Sequence, residues 1–138
     1  MDLVVDTNVV FSALIAGGKT RELIITGPAD LHAPEFFYTE LEGHREEVAA
    51  KTGLSERDLS VLLNLVFEHV HIVPREEFDH SLGDARDHIA DIDPDDVPFL
   101  ALALHLDAGV WTDDNHFQQQ DAVPVWRTHE LVDRFAEE

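Results

Sequence analysis

Cysteine is missing from all 138 residues, which removes several chemistries at once. There can be no disulfide framework, no thiolate nucleophile and no Cys-ligated zinc. Lysine is nearly missing too, represented only by Lys19 and Lys51. With 29 acidic residues against 9 Lys and Arg, the formal net charge is -20. A surface that negative argues against a nucleic-acid partner, because phosphate binding draws on basic side chains. The acids, however, are spread through segments that read as folded rather than gathered in a tail. The composition suits concentrated salt, where a Debye length of about 3 Å at 1 M mutes self-repulsion. Overall charge then says little about the partner. No apolar run is long enough to span a bilayer. Neither a basic leader region nor a cleavage site precedes the first strand, so the expectation is a soluble, cytoplasmic protein with no membrane partner.

Other absences remove specific motifs. "GGKT" at Gly17–Thr20 resembles a phosphate loop, but that motif needs Gly where Ala13 stands. Lys19 and Arg21 therefore read as a solvated helix start. His69 and His71 alternate on an expected strand with no H-E-x-x-H pattern, and the nine scattered histidines give no zinc signal. A receiver-like signalling domain would want a Lys after a late strand, and none follows Lys51. A haloacid-dehalogenase-like phosphatase would want Asp at the third place of its strand-end motif, where this chain has Asn8.

Apolar residues make up 44% of the chain, enough for one core, and a single domain over residues 1–138 is expected. Apolar periodicity predicts a strand at 2–6, a short helix, a break at Gly17-Gly18 and more helix to about Ile25. A strand at 30–33 ends at Pro34, and helices follow over 35–51 and 56–69. A strand at 70–73 comes next, then helices over 76–90 and 95–107, strands at 109–112 and near 123–126, and a terminal helix. Strands separated by helices imply an α/β fold, with a mainly parallel sheet between two helical layers. Ligands of such sheets bind beyond the carboxyl ends of the strands.

Carboxylates from four segments are expected at that edge. Asp6 ends the first strand in "VVDTNVVFSAL", where capping the next helix is the competing reading. Glu40, on a wheel of about 100° per residue, falls between Phe36 and Phe37 on the apolar side of its helix. In "DIDPDDVPFLALAL", Asp93 as N-cap would suit Pro94 but put Pro98 inside the helix; Asp95 as N-cap leaves Pro98 among amides that are free anyway, and Asp96 is then surplus to capping. Asp113 and Asp114 follow the 109–112 strand and bring further carboxylate to the same corner, although as a turn the segment is ordinary. Carboxylates converging without a basic partner repel one another, and hard divalent cations are their usual neutraliser.

Asp6 in "VVDTNVVFSAL", Glu40 in "APEFFYTELEGH", Asp96 in "DIDPDDVPFLALAL" and Asp114 in "VWTDDNHF" together resemble the PIN-domain ribonucleases, including the VapC-type toxins. The likeness spans essentially the whole chain. It implies a three-layer α/β/α sandwich and metal-dependent cleavage of RNA phosphodiesters, with Mg²⁺ or Mn²⁺ held by Asp6, Glu40, Asp96 and Asp114. It further implies that Asn8 orients Asp6 or a water and that Thr112 plays a similar supporting role. An antitoxin partner and a homodimer are implied as well. The family often has another acid just past the fourth; here Asn115 and His116 follow, which leaves open whether one or two ions bind. The competing expectation is a PIN-like domain that binds RNA or protein without cleaving it.

Overall fold

The computed structural model describes residues 1–136; the last two positions of the expected 1–138 domain lie outside the described residues. Five parallel strands form the sheet: β1 (Asp2–Val5), β2 (Asp30–Pro34), β3 (Val70–Val73), β4 (Gly109–Trp111) and β5 (Val125–Trp126). Their order is β3-β2-β1-β4-β5. The chain runs outward from β1 to β3 on one side and then crosses to β4 on the other, so the order reverses between β1 and β4. That reversal is where open parallel sheets leave a crevice. Register pairs Val5 with Trp111, which sets the next residues, Asp6 and Thr112, side by side.

The helical layers follow from the crossovers. Helices α1 (Thr7–Ile15), α2 (Gly18–Thr26), α4 (Arg45–Thr52), α5 (Glu56–His69) and α9 (Thr128–Ala136) pack among themselves. Helices α6 (Arg75–Phe78), α7 (Leu82–Ile89) and α8 (Val97–Leu106) form a second group, with α8 against β1 and β2. Helix α3 (Glu35–Gly43) touches α1, α4 and the strands β2 and β3. Leu3, Val4 and Val5 of β1 are fully buried, as are Leu100 to Ala103 of α8. A strand or helix that is apolar all round belongs in the middle of a domain, and these are the two elements that fit there.

The three-layer α/β/α architecture is the expected one; the differences lie at element ends. The helix expected over 35–51 is two, broken at His44 (φ -108°, ψ 12°). Here α4 packs on α1, and the His44 ring meets Phe11 edge-on at 5.3 Å. The helix expected over 76–90 is α6, a 3-10 turn at Asp79–Ser81 and α7. The break at Gly17-Gly18 is real, with φ of +70° and +63°, where glycine carries no steric cost. His69 closes α5, and only His71 lies on β3.

The start of α8 also differs. Asp93, not Asp95, is the capping residue: its Oδ1 accepts the Asp95 amide at 3.0 Å, opening a 3-10 turn at Pro94–Asp96. Helix α8 begins afresh at Val97. This two-step start gives both prolines a first-turn position, Pro94 in the 3-10 turn and Pro98 in α8, where a single helix could favour only one. It also turns Asp93 and Asp96 toward one another.

Candidate metal centre

Asp6 occupies the N-cap position of α1, but its carboxylate makes no capping hydrogen bond of good geometry and only lies near the first amides of the helix. Its amide extends the β ladder to the Trp111 carbonyl at 3.0 Å, and its Oδ2 accepts the Thr112 hydroxyl at 2.7 Å. The same Thr112 oxygen accepts the Asp114 amide at 3.0 Å, so one fully buried hydroxyl ties the ends of β1 and β4 together. Asp6 is only 6% exposed. Burial raises its pKa above the ordinary carboxylate value; the Thr112 hydroxyl and the amides of Asn8 and Thr7 pull it back, while the Asp114 charge pushes it up.

Glu40 reaches the same corner from α3. Its Oε1 accepts the Thr7 hydroxyl at 2.7 Å, and Thr7 is the residue after Asp6. Half-buried, Glu40 also has a raised pKa: burial contributes most, the Thr7 hydrogen bond opposes it, and the charges of Asp6 and Asp95 add to it. The location of Glu40 on an apolar face is thus explained by a specific hydroxyl partner.

Asp96 is the most perturbed acid. Its pKa is pushed up to about 7, first by burial and then by the charges of Asp93, Asp6 and Asp114, with His116 pulling the other way. The imidazole Nδ1 of His116 stands 3.4 Å from Asp93 Oδ2, 3.5 Å from Asp114 Oδ1 and 3.6 Å from Asp96 Oδ2. Those separations exceed the 2.7–2.9 Å or so of a charge-assisted hydrogen bond. Among the described residues, Asp96 Oδ2 and His116 Nδ1 are both buried with no hydrogen-bond partner. Buried polar atoms are nearly always satisfied, so two orphans facing each other among acids mark a place built for something else.

Among the described residues, Asp93, Asp96 and His116 offer ligand atoms within 4.8 Å of one another. Of the four acids expected from the sequence, Asp96 belongs to that group. Asp114 touches it through His116, and Asp6 and Glu40 approach from the β1 side. Asp93, His116 and Thr7 were not anticipated. Asp93 is visible in the sequence only as a rival cap, and His116 only as the wrong residue where an acid was sought. Asn8 is exposed, and no side-chain hydrogen bond joins it to Asp6 among the described residues; Thr112 does the orienting.

A family model described as PIN domain matches residues 4–135. The chain belongs to the PIN-domain family. Members of this family are nucleases, which gives the acids at the strand ends of this PIN domain their context. No curated protein matches the sequence significantly. Among solved structures, the PIN domain is similar to VapBC2 from Rickettsia felis, solved bound to a DNA fragment from its promoter (TM-score 0.71, 12% identity, 92% of this chain and 98% of that one). It is similar to VapBC-1 from nontypeable Haemophilus influenzae (TM-score 0.64, 20% identity, 94% and 99%). FitAcB from Neisseria gonorrhoeae matches as well (TM-score 0.60, 22% identity, 94% and 99%). At these identities the likeness speaks for the fold.

Proposed function

We propose that this PIN domain is a divalent-metal-dependent endoribonuclease and the toxin of a toxin–antitoxin pair. The observation that carries the reading is the cluster of acids at the β1/β4 crevice, with Asp96 Oδ2 and His116 Nδ1 buried and unpartnered inside it. Oxygen donors held close, with no lysine or arginine paired to them among the described residues, fit Mg²⁺ or Mn²⁺. A bound ion would supply Lewis acidity, polarising the phosphodiester and acidifying a water. Asp6, Glu40, Asp96 and Asp114 would hold that ion. Thr112 fixes the Asp6 carboxylate and Thr7 fixes Glu40, so neither needs to reorganise when substrate arrives. The likeness to VapBC structures favours an antitoxin partner, and a cytoplasmic homodimer is the matching expectation.

An RNA strand needs a cationic approach on a chain of charge -20. A groove of about 550 Å³, whose lining includes Glu35, Phe36, Arg75, Phe78 and Arg86, reaches Pro94 of the 3-10 turn that carries Asp96. Its arginines can grip phosphate while Phe36 offers a face to a base. Replacing Arg75 and Arg86 with Ala should raise KM for RNA about tenfold and leave kcat within about twofold, each lost phosphate contact also flattening the salt dependence of binding. An unchanged KM removes the groove from the reading.

The deciding experiment incubates the protein with single-stranded and structured RNA in Mg²⁺, in Mn²⁺ and in chelator, beside Asp6→Asn. Cleavage that requires metal and Asp6 is expected. Tight RNA binding without cleavage under every condition favours instead the non-catalytic binding domain.

The acidic surface carries a second expectation. Melting temperature should rise as KCl goes from about 0.1 M to above 1 M, where screening of like charges is nearly complete. A flat melting temperature over that range contradicts adaptation to concentrated salt.

A further inference from the structure

We infer that His116 gives this centre a nitrogen ligand, with Asp93 beside it, and that the centre therefore takes Mn²⁺ in preference to Mg²⁺. The inference rests on the metal-centre reading above and adds which ion the chain selects and by which residue. The His116 Nδ1 lies nearly equidistant, 3.4–3.6 Å, from carboxylate oxygens of Asp93, Asp114 and Asp96. An imidazolium forming an ordinary ion pair closes on one of them at about 2.8 Å and takes its hydrogen bond. The separations fall between the about 3 Å of adjacent and the about 4 Å of opposite ligands on one ion with bonds of about 2.1 Å, so a small closing movement would bring these atoms onto a shared ion. That Nδ1 and Asp96 Oδ2 are both buried and unbonded agrees with this and with no internal hydrogen-bond scheme.

The ring is also held in advance. The His116 amide donates to Asp114 Oδ1 at 2.9 Å, closing a tight turn that brings the imidazole back over the acid two residues earlier. Arg127 braces the same loop from outside, donating to the Asp113 carbonyl at 2.9 Å and to Asn115 Oδ1 at 2.8 Å. On the other wall, the Pro94–Asp96 turn fixes Asp93 and Asp96 on one side. A ligand set braced from both sides needs little rearrangement to bind.

Nitrogen ligation decides the ion. Mg²⁺ demands near-ideal octahedral oxygen coordination and gives up water reluctantly. First-row divalent ions take a nitrogen ligand more readily than Mg²⁺ does, and Mn²⁺ is the one among them that shares the preference of Mg²⁺ for carboxylate oxygens, which make up the rest of this set. Replacing His116 with Asp restores an all-oxygen site.

The test is calorimetric titration of the full chain with MnCl₂ and with MgCl₂, with electron spin-echo spectra of the Mn²⁺-loaded protein. Wild type should bind Mn²⁺ at least about tenfold more tightly than Mg²⁺, in line with what one tuning residue contributes to metal affinity, and its Mn²⁺ spectrum should carry ¹⁴N modulation from imidazole. His116→Asp should bind both ions within about threefold of each other and lose the modulation, while His71→Gln, exposed on the edge strand β3, keeps both properties. Binding of both ions with an unchanged preference in His116→Asp, or no ¹⁴N modulation in wild type, overturns the inference and leaves the metal centre standing. Failure of wild type to bind either ion overturns the centre itself. If His116→Asp does not fold, the wild-type spectrum alone decides.

Discussion

Asp6→Asn, Asp96→Asn and Asp114→Asn should each abolish RNA cleavage, whereas Asp113→Asn should keep most of it. The contrast between adjacent acids is the informative part. Asp114 turns into the crevice, with its Oδ1 accepting the His116 amide. Asp113 turns away: its Oδ1 accepts the Thr128 amide at 2.8 Å and its Oδ2 the Thr128 hydroxyl at 2.6 Å, a bond to the first turn of α9. Trp111 Nε1 donates to the same hydroxyl at 3.0 Å. Losing Asp113 should therefore cost about 1 kcal/mol of stability, as for other helix caps, and little activity. Thr112→Val belongs on the other side of the contrast. It leaves the fold's volume intact but removes the hydroxyl that orients Asp6, so activity or metal affinity should fall about 10–100-fold, with Thr112→Ser recovering most of it. Single-turnover cleavage assays with the six variants, each checked by thermal melt, measure this. An active Asp6→Asn, or cleavage undiminished by chelator, removes the nuclease reading.

How much of this could be read in the chain depends on how local each cause is. The run Leu3-Val4-Val5 ending in Asp6 is a buried strand closed by a polar residue, and local pattern suffices to read it. The order β3-β2-β1-β4-β5 is not local, but right-handed crossovers leave few alternatives, and the edge shared by Asp6 and Asp114 follows from it. The cluster at Asp91, Asp93, Asp95 and Asp96 defeats local reading, because each acid is a plausible cap. The choice falls to Asp93 through the 3-10 geometry that both Pro94 and Pro98 accept. His116 is further out of reach. Its ring position rests on the Asp114 turn and on Arg127, a side chain 12 residues from Asn115 in the sequence. Likewise, the break at His44 directly follows Gly43, a weak helix former at the end of α3, and α4 beyond it packs against α1. The acids were legible as a set; the nitrogen among them was legible only once the loops were built.

Without metal, Asp96→Asn should melt no lower than wild type at pH 8, and the order should reverse when Mn²⁺ or Mg²⁺ is added. The sign comes from linkage. Asp96 has a folded pKa of about 7 against an ordinary 3.8, so between those values the folded chain holds a proton that the unfolded chain has lost. Stability from this group is therefore full below about pH 4, falls as pH rises through the window, and is at its lowest above pH 7. Burial and the charges of Asp93, Asp6 and Asp114 cause the loss. Asp6 and Glu40, also raised, act in the same direction. Asparagine at position 96 does not titrate, so the difference between the two apo proteins should favour the variant at pH 8 and shrink toward pH 4.5. A bound ion turns the same repulsion into ligation. Wild type then gains RT ln(1 + [L]/Kd), about 2.7 kcal/mol at a hundred times Kd, while the variant binds too weakly to share it. Melts of both proteins at pH 4.5 and pH 8, with and without millimolar metal at constant ionic strength, separate the two effects. If metal leaves wild type unmoved or shifts Asp96→Asn equally, the acids at the β1/β4 crevice hold no ion. If the apo variant melts well below wild type at pH 8, Asp96 has a stabilising partner that outweighs its like-charged neighbours.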